Sequence, residues 1–146
     1  MERLYDKGAR RAQRTRIDLG EDRPAEIVVT GLIRARFCET LGARAGLADR
    51  ELPLFVLGIL SVGEALLGHP AKDVLNEISI APDVKAALLG EDNDLSRILK
   101  FVLAFERAAW DDVTAMLEAT PQLRPHVAGA YRDAVRWAND AFLVPV

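Results

Sequence analysis

Few of the 146 residues carry side chains able to do chemistry, and their spacing limits what that chemistry is. There are two histidines, His69 and His126, and one cysteine, Cys38. Neither histidine lies one helical turn from a second ligand in an H-x-x-x-H or E-x-x-H pattern, so a first-row metal site lacks its usual nitrogen donors. His69, before Pro70, and His126, after Pro125, read as structural or solvent-exposed. A lone cysteine excludes an internal disulfide and every multi-cysteine zinc pattern. No G-x-S-x-G elbow supports a Ser-His-Asp triad, and no glycine-rich phosphate loop is present. Asp92-Asn93-Asp94 offers closely spaced oxygen ligands, but Arg97 stands where a calcium loop needs its central glycine. A helix-capping loop is expected there instead. No catalytic residue, metal site or cofactor is therefore expected, and no nucleotide pocket is recognisable.

The aromatic residues offer a different chemistry, that of recognition. Phe105, Glu106 and Trp110 lie within two helical turns, and Trp137 follows Tyr131 near the end of the chain. Tryptophan and tyrosine dominate the energetics of protein interfaces. Glu106, Trp110, Asp111 and Trp137 are accordingly candidate interaction residues. The competing reading is that both tryptophans pack against each other or against a core helix.

The elements that must position these residues follow from periodicity. Leu54–Leu67, LFVLGILSVGEALL, carries a single formal charge, Glu64. It is too long for a buried strand and, at about 1.5 Å per residue, too short for a bilayer. It predicts a central core helix, apolar nearly all round, with Gly58 and Gly63 admitting the close approach of another backbone. Asp49 is its candidate cap, Pro53 is tolerated in its first turn, and Gly68-His69-Pro70 ends it. Residues 17–23 read as a linker. Pro24 then opens a helix with Val28, Leu32, Ala35, Cys38, Leu41 and Ala45 on its apolar face, ending near Gly46. Further helices are predicted at Ala71–Ile78, from Pro82 to Gly90, at Leu95–Ala108 and at Trp110–Ala119, the last closed by Thr120-Pro121. A final one runs from about Pro125 to Phe142. No strict alternation argues for a strand, so the fold class is an all-α bundle of six or seven helices around the central apolar one.

Composition bounds the rest. Half of the residues are hydrophobic and 28% are charged, as in a single soluble globular domain. The start of the chain does not resemble a signal peptide, and a reducing cytoplasm fits best. The net charge is −3, yet residues 1–16 hold Arg3, Lys7, Arg10, Arg11, Arg14 and Arg16 against Glu2 and Asp6, a local +4 that leaves −7 on the remainder. This divides the chain into a basic arm and linker, residues 1–23, and a helical domain, residues 24–146. A basic arm on an acidic body raises nucleic-acid binding as one alternative, which the acidic body disfavours, while a solvated terminus is the simpler account.

Five stretches carry a family resemblance: IRARFCETL (Ile33–Leu41), LFVLGILSVGEALL (Leu54–Leu67), PDVKAALLG (Pro82–Gly90), LAFERAAWDDV (Leu103–Val113) and YRDAVRWAND (Tyr131–Asp140). In order and spacing they resemble the C-terminal part of an HDOD domain, as found after an EAL domain in bacterial signalling proteins. Residues 1–23 do not match, so the resemblance covers only the C-terminal part and the N-terminal helices of a full HDOD domain are expected to be absent from these residues. The tripeptide Glu64-Ala65-Leu66 that spells EAL falls in the apolar helix here, where it reads as coincidence. The HDOD family is similar to HD-type metal phosphohydrolases, whose motif reads roughly F-L-x-G-L-L-H-D. The corresponding residues run Phe55-Val56-Leu57-Gly58-Ile59-Leu60-Ser61-Val62, so Ser61 and Val62 replace the histidine and aspartate. The resemblance implies an HD-like fold and a non-catalytic module that binds another signalling protein or domain, linked to cyclic di-GMP. It also implies self-association, if the missing helices normally cover an apolar patch. The alternative enzyme reading is an HD-like metal-dependent phosphohydrolase with an atypical site. No membrane partner is expected.

Overall fold

Four small residues on the first helix decide how the chain folds back on itself. The computed structural model describes the backbone of residues 16–63, 75 and 79–142, and side chains from residue 25 onward. Helix α1 (Arg16–Arg44) carries Gly31, Ala35, Cys38 and Gly42 at spacings of four, three and four, which brings them to one face. Helix α2 (Glu51–Leu60) lies antiparallel along that face: Gly42 meets Leu54, Ala35 meets Gly58, and Gly31 meets Val62. A Cβ on Gly58 would overlap the backbone of Arg34 and Ala35. Glycine costs about 1 kcal/mol in a helix interior, and here the close backbone approach is what it makes possible. Gly63 does not share this role, because no described atom lies within 4 Å of its would-be Cβ.

Four further helices complete the described bundle: α3 (Pro82–Leu88), α4 (Asp94–Glu106), α5 (Trp110–Ala119) and α6 (Val127–Phe142). Short 3-10 turns at Ala48–Arg50 and Pro121–His126 precede α2 and α6. The described residues are thus all-α, as their periodicity predicts. The apolar α2 packs on α1, α3 and α4, and the longer α1 also receives α6. Phe37, Cys38 and Leu41 of α1, Leu54 and Leu57 of α2, Val84 of α3, Phe101 and Val102 of α4, and Ala134 of α6 meet in one core. Each buried large side chain contributes about 1.5–3 kcal/mol by leaving water.

Helix ends follow from local chemistry. At Gly46 (φ +93) and Gly90 (φ +94) the chain takes the left-handed conformation that closes α1 and α3. The N–H of Leu47 donates to the Gly42 carbonyl at 2.8 Å, and that of Glu91 to Ala86 at 2.9 Å. The end of α4 is built alike, with Ala109 N–H on the Ala104 carbonyl at 2.9 Å, but there Ala108 adopts φ 59 without being glycine. Asp92-Asn93-Asp94 is a capping loop. Asn93 accepts from Ser96 N–H at 2.8 Å while the Ser96 hydroxyl accepts from Asn93 N–H at 2.8 Å. Its two aspartates both hold Arg97, which keeps the Asp92 carboxyl below its usual range through hydrogen bonding and charge.

Several boundaries differ from expectation. Helix α1 already includes Arg16, the first described residue, so residues 17–23 are helical and Pro24 lies inside the helix. A first-turn proline and an internal one read alike in sequence, although the latter gives up an intrahelical bond and crowds the carbonyl four residues before it. Asp49 does not cap α2: it lies within the 3-10 turn, and Arg50 takes the N-cap position with no side-chain bond. The regular part of α2 stops at Leu60, where the Ser61 hydroxyl donates to the Gly58 carbonyl at 2.7 Å and tightens the last turn. Val28, expected on the buried face of α1, is exposed, and Phe37 is buried in its stead. The final helix starts at Val127, after the 3-10 turn. The basic residues before Arg16, the Glu64-Ala65-Leu66 tripeptide, the Gly68-His69-Pro70 stop and all of Ala71–Ile78 but the buried Leu75 lie outside the described residues.

Candidate functional site

Arg34 stands next to Ala35 on α1 and reaches in two directions from it. One edge of its guanidinium holds Glu106, the last residue of α4: Nε donates to Oε1 at 2.8 Å and Nη2 to Oε2 at 3.1 Å. The other edge holds the end of α2, where Nη1 donates to the Ser61 carbonyl at 3.3 Å and to Ser61 Oγ at 3.2 Å. The Arg34 side chain is 18% exposed and that of Glu106 38%. Three helices are therefore joined by one planar cation. Paired bonds of this kind suit arginine, whose donors are arranged in a rigid fork.

Beside this junction lies a cavity of about 170 Å³ lined by Thr30, Ile33, Arg34, Phe37, Val102, Glu106 and Tyr131. Two of its lining residues, Phe37 and Tyr131, belong to an aromatic cluster with Phe105. Phe37, Phe105 and Tyr131 contact one another with ring centroids 5.1 to 5.5 Å apart. Phe105 in turn meets the edge of Trp110 at 5.4 Å.

The candidate interaction residues divide into two places. Glu106, Trp110 and Asp111 share the corner between α4 and α5. Trp110 is 54% exposed there, Asp111 is exposed beside it, and Glu106 turns back to Arg34. Trp137 lies elsewhere, half-buried, edge-on to Phe55 of α2 at 5.8 Å and beneath the Arg36 guanidinium at 5.6 Å. Arg36 also binds Asp133 at 3.2 Å, which ties α1 to α6. The two tryptophans are not in ring contact with each other: Trp137 packs on the apolar helix and Trp110 presents itself to solvent.

Ser61 and Val62, the positions that resemblance gives to an HD histidine and aspartate, are committed to the scaffold. The Ser61 hydroxyl donates to Gly58 and accepts from Arg34, while Val62 is buried against Gly31. These residues do not fit a divalent metal. One is apolar, the other is already bonded, and the charge beside them is a cation. Among the described residues no three histidine, cysteine, aspartate or glutamate side chains converge. Cys38 is fully buried one turn from Ala35, and desolvation pushes its thiol up to about 12, against a smaller opposing pull from Arg34. It is not a nucleophile in this state. His69 lies outside the described residues, and His126 ends the 3-10 turn before α6.

Arg34 is not among the residues that composition and spacing single out. Its partner is 72 residues away, and nothing in local spacing announces a pair that only the tertiary fold makes. Its proximity to Ala35, inside a stretch rich in small residues, is the one available signal.

Among the described residues no helix is long and apolar enough to cross a membrane. No family model matches the chain, and no solved structure matches it. Two curated proteins are similar. The uncharacterized protein YuxH of Bacillus subtilis is 30% identical over 122 residues, which cover 83% of this chain and 29% of that protein. The cyclic di-GMP phosphodiesterase CdgJ of Vibrio cholerae is 28% identical over 123 residues, 84% of this chain and 28% of that protein. The chain therefore spans less than a third of the length of either relative, and its sequence is similar to one part of a cyclic di-GMP signalling protein.

Proposed function

We propose that this chain is a non-catalytic signal-transduction module of the HDOD type, which acts in cyclic di-GMP signalling by binding another protein or domain. The observation that carries this reading is the bonding of Ser61 and the burial of Val62, the two positions that the resemblance gives to the metal ligands of an HD enzyme. Similarity to part of the phosphodiesterase CdgJ supports the signalling context. The exposed Trp110, with Asp111 beside it, supplies a docking anchor at the α4–α5 corner. The partner is a signalling protein or domain, and nucleic acid and membrane are not among the ligands proposed.

The test is capture of partners from the source cell with tagged wild-type chain and with Trp110→Ala, alongside hydrolysis assays on purified protein. Specific capture that Trp110→Ala reduces at least about tenfold, with the fold intact, supports the reading. Metal-dependent phosphodiester hydrolysis by the purified chain overturns the non-catalytic part. Capture unaffected by Trp110→Ala overturns the assignment of the docking corner.

A further inference from the structure

The Arg34–Glu106 junction is asymmetric, and the cavity beside it gives that asymmetry a use. Arg34 is fixed: it rises from the middle of α1 and is bonded along its far edge to the Ser61 carbonyl and hydroxyl. Glu106 is not. It is the last residue of α4, its side chain is 38% exposed, and it directly precedes the turn that carries the left-handed Ala108. The carboxylate can swing into water while the guanidinium stays in place. Behind it lie about 170 Å³ of space, walled by the apolar Ile33, Phe37 and Val102 and by Tyr131. An apolar cavity of about 150 Å³ suffices to hold a benzene ring.

We infer that this cavity is a binding site for a small carboxylic acid with a ring or short branched apolar body, whose carboxylate takes the place of Glu106 on Arg34. Glu106 is itself the template, since it shows that the guanidinium edge facing the cavity accepts a carboxylate through two parallel bonds. The apolar body of the ligand fills the space that the glutamate side chain leaves empty. Displacement of Glu106 moves the residue next to Phe105, whose ring touches Trp110, so occupancy is read out at the exposed corner. This site stands apart from the docking role proposed above, and the two fail independently.

The probe is benzoate, titrated into the full chain and followed by tryptophan fluorescence and amide NMR shifts, with benzamide as its neutral isostere and inorganic phosphate as a second anion. Saturable benzoate binding is expected in the millimolar range. Glu106→Gln, which removes the competing charge, is expected to tighten it about tenfold. Benzamide is expected not to bind, and Arg34→Gln to abolish the benzoate response. If Arg34→Gln does not fold, the contrast between benzoate and benzamide on Glu106→Gln decides alone. Partner capture does not enter this test, which separates it from that of docking. No saturable response from wild type or Glu106→Gln up to tens of millimolar overturns the proposal, as does equal affinity for benzamide. Phosphate binding as tightly as benzoate overturns the assignment to an apolar acid.

Discussion

Arg34 and Ala35 are neighbours on α1, and they hold the bundle together by opposite means. On the Ala35 side, α2 approaches so closely that Gly58 has no room for a methyl group, and Cys38, Leu41 and Leu54 are sealed from water. On the Arg34 side, three helices are kept at arm's length by a guanidinium, and an unfilled volume remains. The first crossing gains from dispersion and dehydration, which tolerate no change in shape. The second gains from directed bonds at a half-wet surface, where partners are exchangeable and each pair is worth little. One crossing is suited to carrying stability and the other to carrying function.

Substitutions can break this contrast in order of effect. Gly58→Ala should be the most damaging, because the added methyl meets backbone rather than a movable side chain. A loss of about 3 kcal/mol in chemical denaturation is expected, or failure to fold. A cost below about 1 kcal/mol would show that the helices are free to separate.

Next comes the pH response of Cys38. Its thiol titrates near 9.0 when unfolded and at about 12 when buried, so the folded state retains its proton longer. The contribution is fully present below pH 9 and is lost as pH rises toward 12. By pH 10 the wild type should lose about 1 kcal/mol more than Cys38→Ala does, as measured by urea denaturation at each pH. Equal losses would place solvent inside the crossing.

A double-mutant cycle on Arg34 and Glu106 should return a coupling of somewhat under about 1 kcal/mol at low ionic strength, shrinking as salt is added. A larger, salt-insensitive value would make the polar junction as rigid as its apolar neighbour. Smallest is Ala108→Gly, which relieves a left-handed alanine at the end of α4. A gain of about 0.5 kcal/mol is expected in thermal or urea unfolding, the relief being partly offset by the entropy of unfolded glycine.

The same contrast explains what could be read from the sequence. The apolar crossing is legible because its signals are local: Ala35, Cys38 and Leu41 recur on one face of α1, the run around Gly58 is uncharged, and the stops at Gly46 and Gly90 obey local backbone rules. Helix α5 emerges with the bounds expected, Trp110–Ala119. The polar junction was invisible because arginine on a helix face is the commonest of surface features, and only the fold decides that Glu106 faces it. The HDOD resemblance draws attention to Ser61 and Val62, but nothing in it announces the hydroxyl's bond to Arg34. Pro24 and Asp49 misled for a related reason, since each is a helix-start signal that tertiary context left unused.

Asn93 has one more bond than its cap requires: Nδ2 donates to the Asp83 carbonyl, in the first turn of α3, at 3.0 Å. The residue that starts one helix thereby fastens the beginning of the helix before it, across a separation of only ten positions. Contacts so near in the chain close quickly, because little loop entropy opposes them. Residues 82–106 thus form a ready-made corner, a piece that can take shape ahead of the distant pairing between residues 34 and 106 and then wait for the first helix to arrive.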